Sequence, residues 1–390
     1  MARHPDTTLE RSIGLLERLV AFDTQSSKSN LACVAFIESW FKQCGVPYVI
    51  APNAAGDKAA IMATVGPLAP GGVVLSGHTD VVPVEGQAWS SDPFALRRAG
   101  TRLYGRGACD MKGFDAVALA MIPEFARATL KAPVHVLLSY DEELTCLGSL
   151  DILRRFGVNY PAPRAVFVGE PTLMRIADAH KSISTYVTTV HGVEAHSARP
   201  ALGANAIATA CELVHELTRL ADAYEAAGDP TGRFDPGYST VHVGTIHGGT
   251  ARNILAKECR FHWEFRGLPG VPADDALRGF QDYAERVALP RLTRFTTAAR
   301  IETVTEVEVP GLAADPGSAA ETLALRLTQS NRTHAVSFAT EAGHFQRAGF
   351  PTVVCGPGSI EQAHQADEFV EAGELAACIA FMRGLARELS

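Results

Sequence analysis

No Cys-x-x-Cys pair occurs in the sequence: its eight cysteines, Cys33, Cys44, Cys109, Cys146, Cys211, Cys259, Cys355 and Cys378, are scattered over 390 residues. That spacing argues against a zinc ribbon, and a chain this long does not depend on a disulfide framework. The thiols read as reduced, most of them in the core. No apolar run approaches the ~20 residues of a membrane span, and the opening residues, MARHPDTTLERS, are polar. A cytoplasmic protein with no membrane partner is therefore expected. No Lys/Arg cluster follows a helix face and the net charge is −8, so no nucleic-acid footprint is present. Long low-complexity segments, single-sign charge runs and internal repeats are also missing, which argues against disorder.

What remains is the composition of a compact protein, 47% hydrophobic and 20% charged, with 34 glycines and 22 prolines. The length exceeds one ordinary core and implies two domains or three. Amphipathic periodicity predicts helices over Thr8–Phe22 and Leu31–Gly45, the second stopped by its glycine. Short apolar runs then alternate with helical stretches. Val73–Gly77, Val134–Ser139 and Ala165–Val168 read as buried strands, Phe114–Phe125 and Ser149–Phe156 as helices. This alternation predicts an α/β layered domain with a mixed, mainly parallel central sheet and functional residues at the strand ends.

The texture changes near Lys181. Strands are expected at Ile183–Val190, Thr240–Ile246 and Cys259–Phe265, with helices at Asn205–Glu225 and Asp274–Val287, an α+β sandwich pattern. The α/β texture resumes near Thr293, with helices at Ala319–Thr328 and Gly373–Glu388 and strands at Ala335–Phe338 and Thr352–Cys355. One domain is thus expected to be inserted in another, with boundaries at 1–181, 182–292 and 293–390.

Polar residues cluster where the apolar strands end. Gly77-His78-Thr79-Asp80 follows the first, Asp141-Glu142-Glu143 the next, and Gly169-Glu170-Pro171 the third. Between them lies Arg106-Gly107-Ala108-Cys109-Asp110-Met111-Lys112-Gly113, a turn entering a helix, and near the end Gly356-Pro357-Gly358-Ser359 leads to His364. Each is unremarkable alone: a strand-end histidine, a solvated acidic loop, a turn, a capped helix entry. Together, in order, they predict one site containing His78, Asp110, Glu142, Glu143, Glu170 and His364. Four carboxylates in one cleft repel unless cations sit among them. Mixed imidazole and carboxylate donors suit Zn²⁺, Co²⁺ or Mn²⁺ rather than Ca²⁺. Five ligands serve two metals that share a carboxylate, leaving one of Glu142 and Glu143 free as a base. Asp80 is placed to orient the His78 imidazole.

The strings Gly77-His78-Thr79-Asp80-Val81-Val82-Pro83, Trp89…Asp92-Pro93-Phe94 and Tyr104-Gly105-Arg106-Gly107…Asp110-Met111-Lys112-Gly113 resemble a metallohydrolase family. It comprises acetylornithine deacetylases, succinyl-diaminopimelate desuccinylases, aminoacylases and dinuclear zinc carboxypeptidases. The resemblance implies that His78 and Glu170 bind one metal, Glu143 and His364 the other, and that Asp110 bridges them. It makes Glu142 the general base and the inserted domain a lid that forms a homodimer. His196, in His191-Gly192-Val193-Glu194-Ala195-His196-Ser197, would stabilise the oxyanion from the partner subunit. Arg266 and Asn253 would hold the substrate carboxylate, with Arg252 an alternative, since a planar guanidinium suits that task.

Thr340-Glu341-Ala342-Gly343 and Gly356-Pro357-Gly358-Ser359-Ile360…Gln362-Ala363-His364-Gln365 resemble the acetylornithine deacetylase branch, with Ala366 where proline is frequent. Thr340 and Ser359 are candidates for substrate contacts by position, and Glu341 for an ornithine ammonium. The expectation is an enzyme with two divalent cations, Zn²⁺ or Co²⁺, that deacetylates N2-acetyl-L-ornithine for arginine biosynthesis. The alternatives are another N-acyl-amino-acid deacylase, a succinyl-diaminopimelate desuccinylase or a metallocarboxypeptidase or dipeptidase on the same metals. An inactive binding relative is opposed by the intact Glu142 and ligand set.

Overall fold

A computed structural model describes residues 7–390; the first six residues of the polar opening stretch lie outside them. The chain divides into two compact units. The first runs to Asp178 and resumes over Ala314–His334 and Thr340–Ser390; the second is Ala179–Ala313 with Ala335–Ala339.

The first unit is built on an eight-stranded mixed sheet. Its order is Tyr48–Pro52, Ala59–Val65, Val134–Ser139, Val73–His78, Ala165–Pro171 and Thr352–Gly356, then Ala177–His180 and His334–Val336, through which the chain leads into the second unit. The four strands from Val134–Ser139 to Thr352–Gly356 are mutually parallel. They are buried on both faces, which is why each reads as a near-continuous apolar run.

Alternate residues face opposite layers. Ile61, Ala63, Leu75, Val136, Phe167 and Cys355 join one core with helices Thr7–Val20, Leu31–Cys44, Lys112–Arg127, Ala319–Thr328 and Ala372–Glu388. On the other face, His135 meets the rings of Phe156 and Tyr160, and Ser76 and Ser139 meet Glu341 at the start of helix Ala342–Arg347. A side chain at Gly77 would place its Cβ 2.1 Å from Asp115 Oδ1, so only glycine lets helix Lys112–Arg127 lie this close beside His78.

A four-stranded antiparallel sheet carries the second unit, ordered Thr240–Gly248, Glu258–Arg266, Ile183–His191, Arg300–Val309. Helices Ala206–Ala227 and Asp275–Tyr283 cover one face, over a core of Tyr186, Leu213, Phe261, Trp263, Phe265 and Phe280.

Three segments differ from expectation. The inserted unit extends past 292 because Arg300–Val309 pairs with Ile183–His191. That strand is an edge rich in Glu302, Glu306 and Glu308, with only Val309 buried, so it lacks a core-strand pattern. Only Leu150–Leu153 of the expected Ser149–Phe156 helix is helical, and the strand expected at Ala335–Phe338 is His334–Val336. All eight cysteines are free thiols. No helix among the described residues is long and apolar enough to cross a membrane.

Candidate metal centre

Six side chains meet at one end of the parallel strands of the first unit. His78 closes strand Val73–His78, and Glu170 lies near the end of Ala165–Pro171. Glu142 and Glu143 begin the short helix that follows Val134–Ser139. Asp110 lies in the turn entering Lys112–Arg127, and His364 in the loop after Thr352–Gly356. This is the carboxyl edge of the parallel strands, where open α/β sheets bind ligands.

Asp110 is central. Its Oδ1 is 3.2 Å from His78 Nε2, and its Oδ2 is 3.2 Å from His364 Nε2. Glu170 Oε1 lies 3.7 Å from His78 Nε2, and Glu143 Oε2 lies 3.0 Å from His364 Nε2. Two donor triads result, His78–Asp110–Glu170 and Asp110–Glu143–His364, sharing Asp110. Glu142 belongs to neither, with Oε2 3.9 Å from His78 Nε2.

His78 Nδ1 lies 3.0 Å from the Asp80 backbone oxygen and 3.5 Å from its carboxylate. Donating its Nδ1 proton there would leave Nε2 available to a cation held with Asp110 and Glu170. The Asp80 carboxylate does more than orient this ring. It accepts the Ser26 hydroxyl at 2.7 Å and the backbone N–H groups of Glu142 and Glu143 at 3.2 and 3.3 Å. One side chain thus holds the imidazole and both following glutamates. Asp141 adopts φ 55° and pairs outward with Lys58 Nζ at 2.5 Å. Lys58 and Ser26 escaped the sequence reading because no local pattern links them to residues far along the chain.

The charge balance shows what the cluster lacks. Burial pushes Glu142 up to about 8, against His78 and reinforced by Glu143 and Asp110. Burial and then Asp110 push Glu143 up to about 7, and the same two causes raise Glu170 well above the carboxylate range. Hydrogen bonds to Asp110 and Glu143 push His364 up to about 10. Burial disfavours protonated His78, yet Asp110 and Asp80 raise it well above its ordinary value. Among the six, Asp110 alone falls: burial would raise it, but its bonds to His364 and His78 prevail. The other five are all pushed toward their protonated forms, as expected of a pocket with excess negative charge. Glu170 Oε1 is buried with no hydrogen-bond partner. Divalent cations fit this donor set, since they neutralise the carboxylates and occupy the orphaned oxygen.

The other expected residues divide between the units. Ser359 lies beside the Asp110 turn, its carbonyl accepting Cys109 Sγ at 3.3 Å. Thr340 is buried and its hydroxyl accepts Ala342 N–H at 3.0 Å. Glu341 is a correction. It is buried and accepts the Ser76 and Ser139 hydroxyls at 2.5 and 3.0 Å, so it anchors two strands and is not exposed to an ammonium. In the second unit His196 and Asn253 are neighbours: His196 bridges Ile254, and Ser197 N–H donates to Asn253 at 3.0 Å. His196 is exposed, in an open pocket shared with Glu194 and Arg199. Arg252 is also exposed on the loop with Asn253. Arg266 ends the nine-residue strand Glu258–Arg266, whose start follows Asn253, and bonds Glu264 at 3.0 Å. At about 3.3 Å per residue, that strand separates it from Asn253.

An α/β unit presenting paired imidazole–carboxylate triads at its strand ends is suited to metal-assisted hydrolysis. The chain belongs to peptidase family M20/M25/M40, whose profile matches residues 74–388, and is a hydrolase acting on amides. It is 32% identical over 368 residues to the acetylornithine deacetylase of Salmonella typhimurium, spanning 94% of this chain and 93% of that one. Its fold matches a tripeptidase from Staphylococcus aureus, with a TM-score of 0.75 at 17% identity and 98% of each chain covered. A dinuclear metal binding peptidase of this family from Bacillus subtilis matches with a TM-score of 0.65 at 17% identity, also over 98% of each chain.

Proposed function

We propose that the protein removes the acetyl group from N2-acetyl-L-ornithine, releasing L-ornithine and acetate, and so serves arginine biosynthesis in the cytoplasm. The observation that carries the chemistry is the pair of triads sharing Asp110, with Glu142 outside both. The substrate assignment is supported by the near-full-length similarity to a deacetylase of that specificity.

Cations held by His78, Asp110 and Glu170 and by Asp110, Glu143 and His364, Zn²⁺ or Co²⁺, would polarise the scissile carbonyl and acidify a water. The chain's own residues do the rest. Glu142 takes the proton of the attacking water and passes it to the leaving amine. Cations at the two triads would lower its pKa from about 8 and favour the ionised form for that task. Asp80 holds Glu142 and His78 in register through the bonds described above. His196 donates to the developing oxyanion, delivered from the partner subunit of a homodimer formed by the inserted unit. Asn253, Arg266 and Ser359 contribute to binding the amino-acid half.

A hydrolysis panel of the metal-reconstituted protein, with chelated enzyme as control, tests the substrate. N-acetylornithine should be among the best substrates, ahead of succinyl-diaminopimelate and dipeptides, and chelation should abolish turnover. A clear preference for another N-acyl amino acid or a dipeptide would replace this reading with that specificity. His196→Ala is expected to cost kcat about 10²–10³-fold with little change in KM, as loss of one oxyanion donor does. Sedimentation of the wild type should show a dimer; a fully active monomer would contradict delivery across subunits.

A further inference from the structure

Asp110 and His364 belong to the same triad but come from loops more than 250 residues apart, and neither loop is a regular element. One side chain closes the gap. Glu368, four residues after His364, is 1% exposed and has four donors. Its Oε1 accepts the backbone N–H groups of Cys109 at 2.8 Å and of Asp110 itself at 3.0 Å. Its Oε2 accepts Gly107 N–H at 3.0 Å and Arg106 Nη1 at 2.7 Å.

Arg106 is as deeply buried and extends the link. Its Nη1 also donates to the Gln365 carbonyl and its Nη2 to the Pro83 carbonyl, each at 3.3 Å, and Nη2 donates to Gln87 Oε1. Gln87 Nε2 in turn donates to the carbonyl of His364 at 2.8 Å. On the outer side of the loop, Asp367 Oδ1 accepts Ser90 N–H at 3.0 Å and its hydroxyl at 2.8 Å. His364 and Asp367 have φ of 61° and 56°. Residues other than glycine hold that conformation when their surroundings over-determine it, and this network does so.

A buried ion pair contributes little net stability, because desolvation offsets most of the attraction. What this pair supplies is geometry. We propose that Glu368 is a positioning residue for one cation site: by clamping the Asp110 turn to the His364 loop, it assembles the Asp110–Glu143–His364 triad. The proposal rests on the reading of those three side chains as cation ligands. The other triad draws His78 and Glu170 from the ends of adjacent sheet strands and shares only Asp110 with the clamp, so it depends on Glu368 less than the triad that joins both loops.

Glu368→Gln preserves volume but sets an amide N–H₂ against donors. Co²⁺ titration of the metal-free proteins, followed by calorimetry and visible absorption, reads each site without turnover. Wild type should take up two Co²⁺ per chain. Glu368→Gln should weaken the second ion about 10–100-fold, the scale of losing a supporting hydrogen bond at a ligand, and the first, which shares only Asp110 with the clamp, clearly less. Glu371→Gln, which removes an exposed pair with Arg102, should titrate as wild type. If Glu368→Gln does not fold, Asp367→Asn loosens the same loop at the surface and should weaken only the second ion, about several-fold. Wild-type affinity for both ions in the folded variant, or equal loss at both, overturns the proposal. A wild type that takes up fewer than two Co²⁺ refutes the ligand reading itself, and the positioning role with it.

Discussion

Glu142→Ala is expected to lower kcat by about 10²–10⁴-fold, the usual cost of removing a general base, while the protein still takes up two cations. The reason lies in the arrangement of neighbours in sequence. Glu143 is a member of a donor triad with His364; Glu142 is adjacent yet outside both triads. Its Oε1 accepts Cys146 Sγ at 3.2 Å, and its backbone N–H is held by Asp80. Removing its side chain leaves all five proposed ligands in place. The paired measurement is turnover of the best substrate in the panel alongside metal content. Retained turnover would refute the base assignment, and loss of a cation would make Glu142 a ligand instead.

Asp110→Ala should have the largest effect of all: loss of both cations and of activity together. Its two oxygens face different imidazoles, at 3.2 Å each, and each triad depends on one of them. His364→Ala should differ in kind. It removes a donor from only one triad, so one cation should remain at near wild-type affinity. Calorimetric titration separates the cases by stoichiometry: none for Asp110→Ala at concentrations that saturate wild type, one for His364→Ala. Equal behaviour of the two variants would mean that Asp110 does not serve two sites.

How far the sequence alone reaches depends on the physical origin of each feature. Strands Val73–His78 and Val134–Ser139 are legible because burial on both faces makes them continuous apolar runs, and their polar ends then stand out. Arg300–Val309 is not legible in this way, since an edge strand with one solvated face can carry Glu302, Glu306 and Glu308. In the Asp141-Glu142-Glu143 triplet, nothing local says which carboxylates turn inward. The distant Lys58 draws Asp141 away, and the Asp80 carboxylate fixes the next two backbone amides. Glu341 illustrates the converse: a carboxylate in a short loop reads as open to ligand, but hydroxyls from two strands bury it. Arg106 and Glu368 both lie within recognisable motifs, yet only the fold shows that they meet.

The central claim is tested most directly by anomalous X-ray diffraction at the Zn absorption edge from crystals of the metal-loaded protein. Two peaks per chain are predicted, one bounded by His78 Nε2, Asp110 Oδ1 and Glu170, the other by Asp110 Oδ2, Glu143 and His364 Nε2, with Glu142 bound to neither. A single peak, or peaks remote from Asp110, would contradict the account.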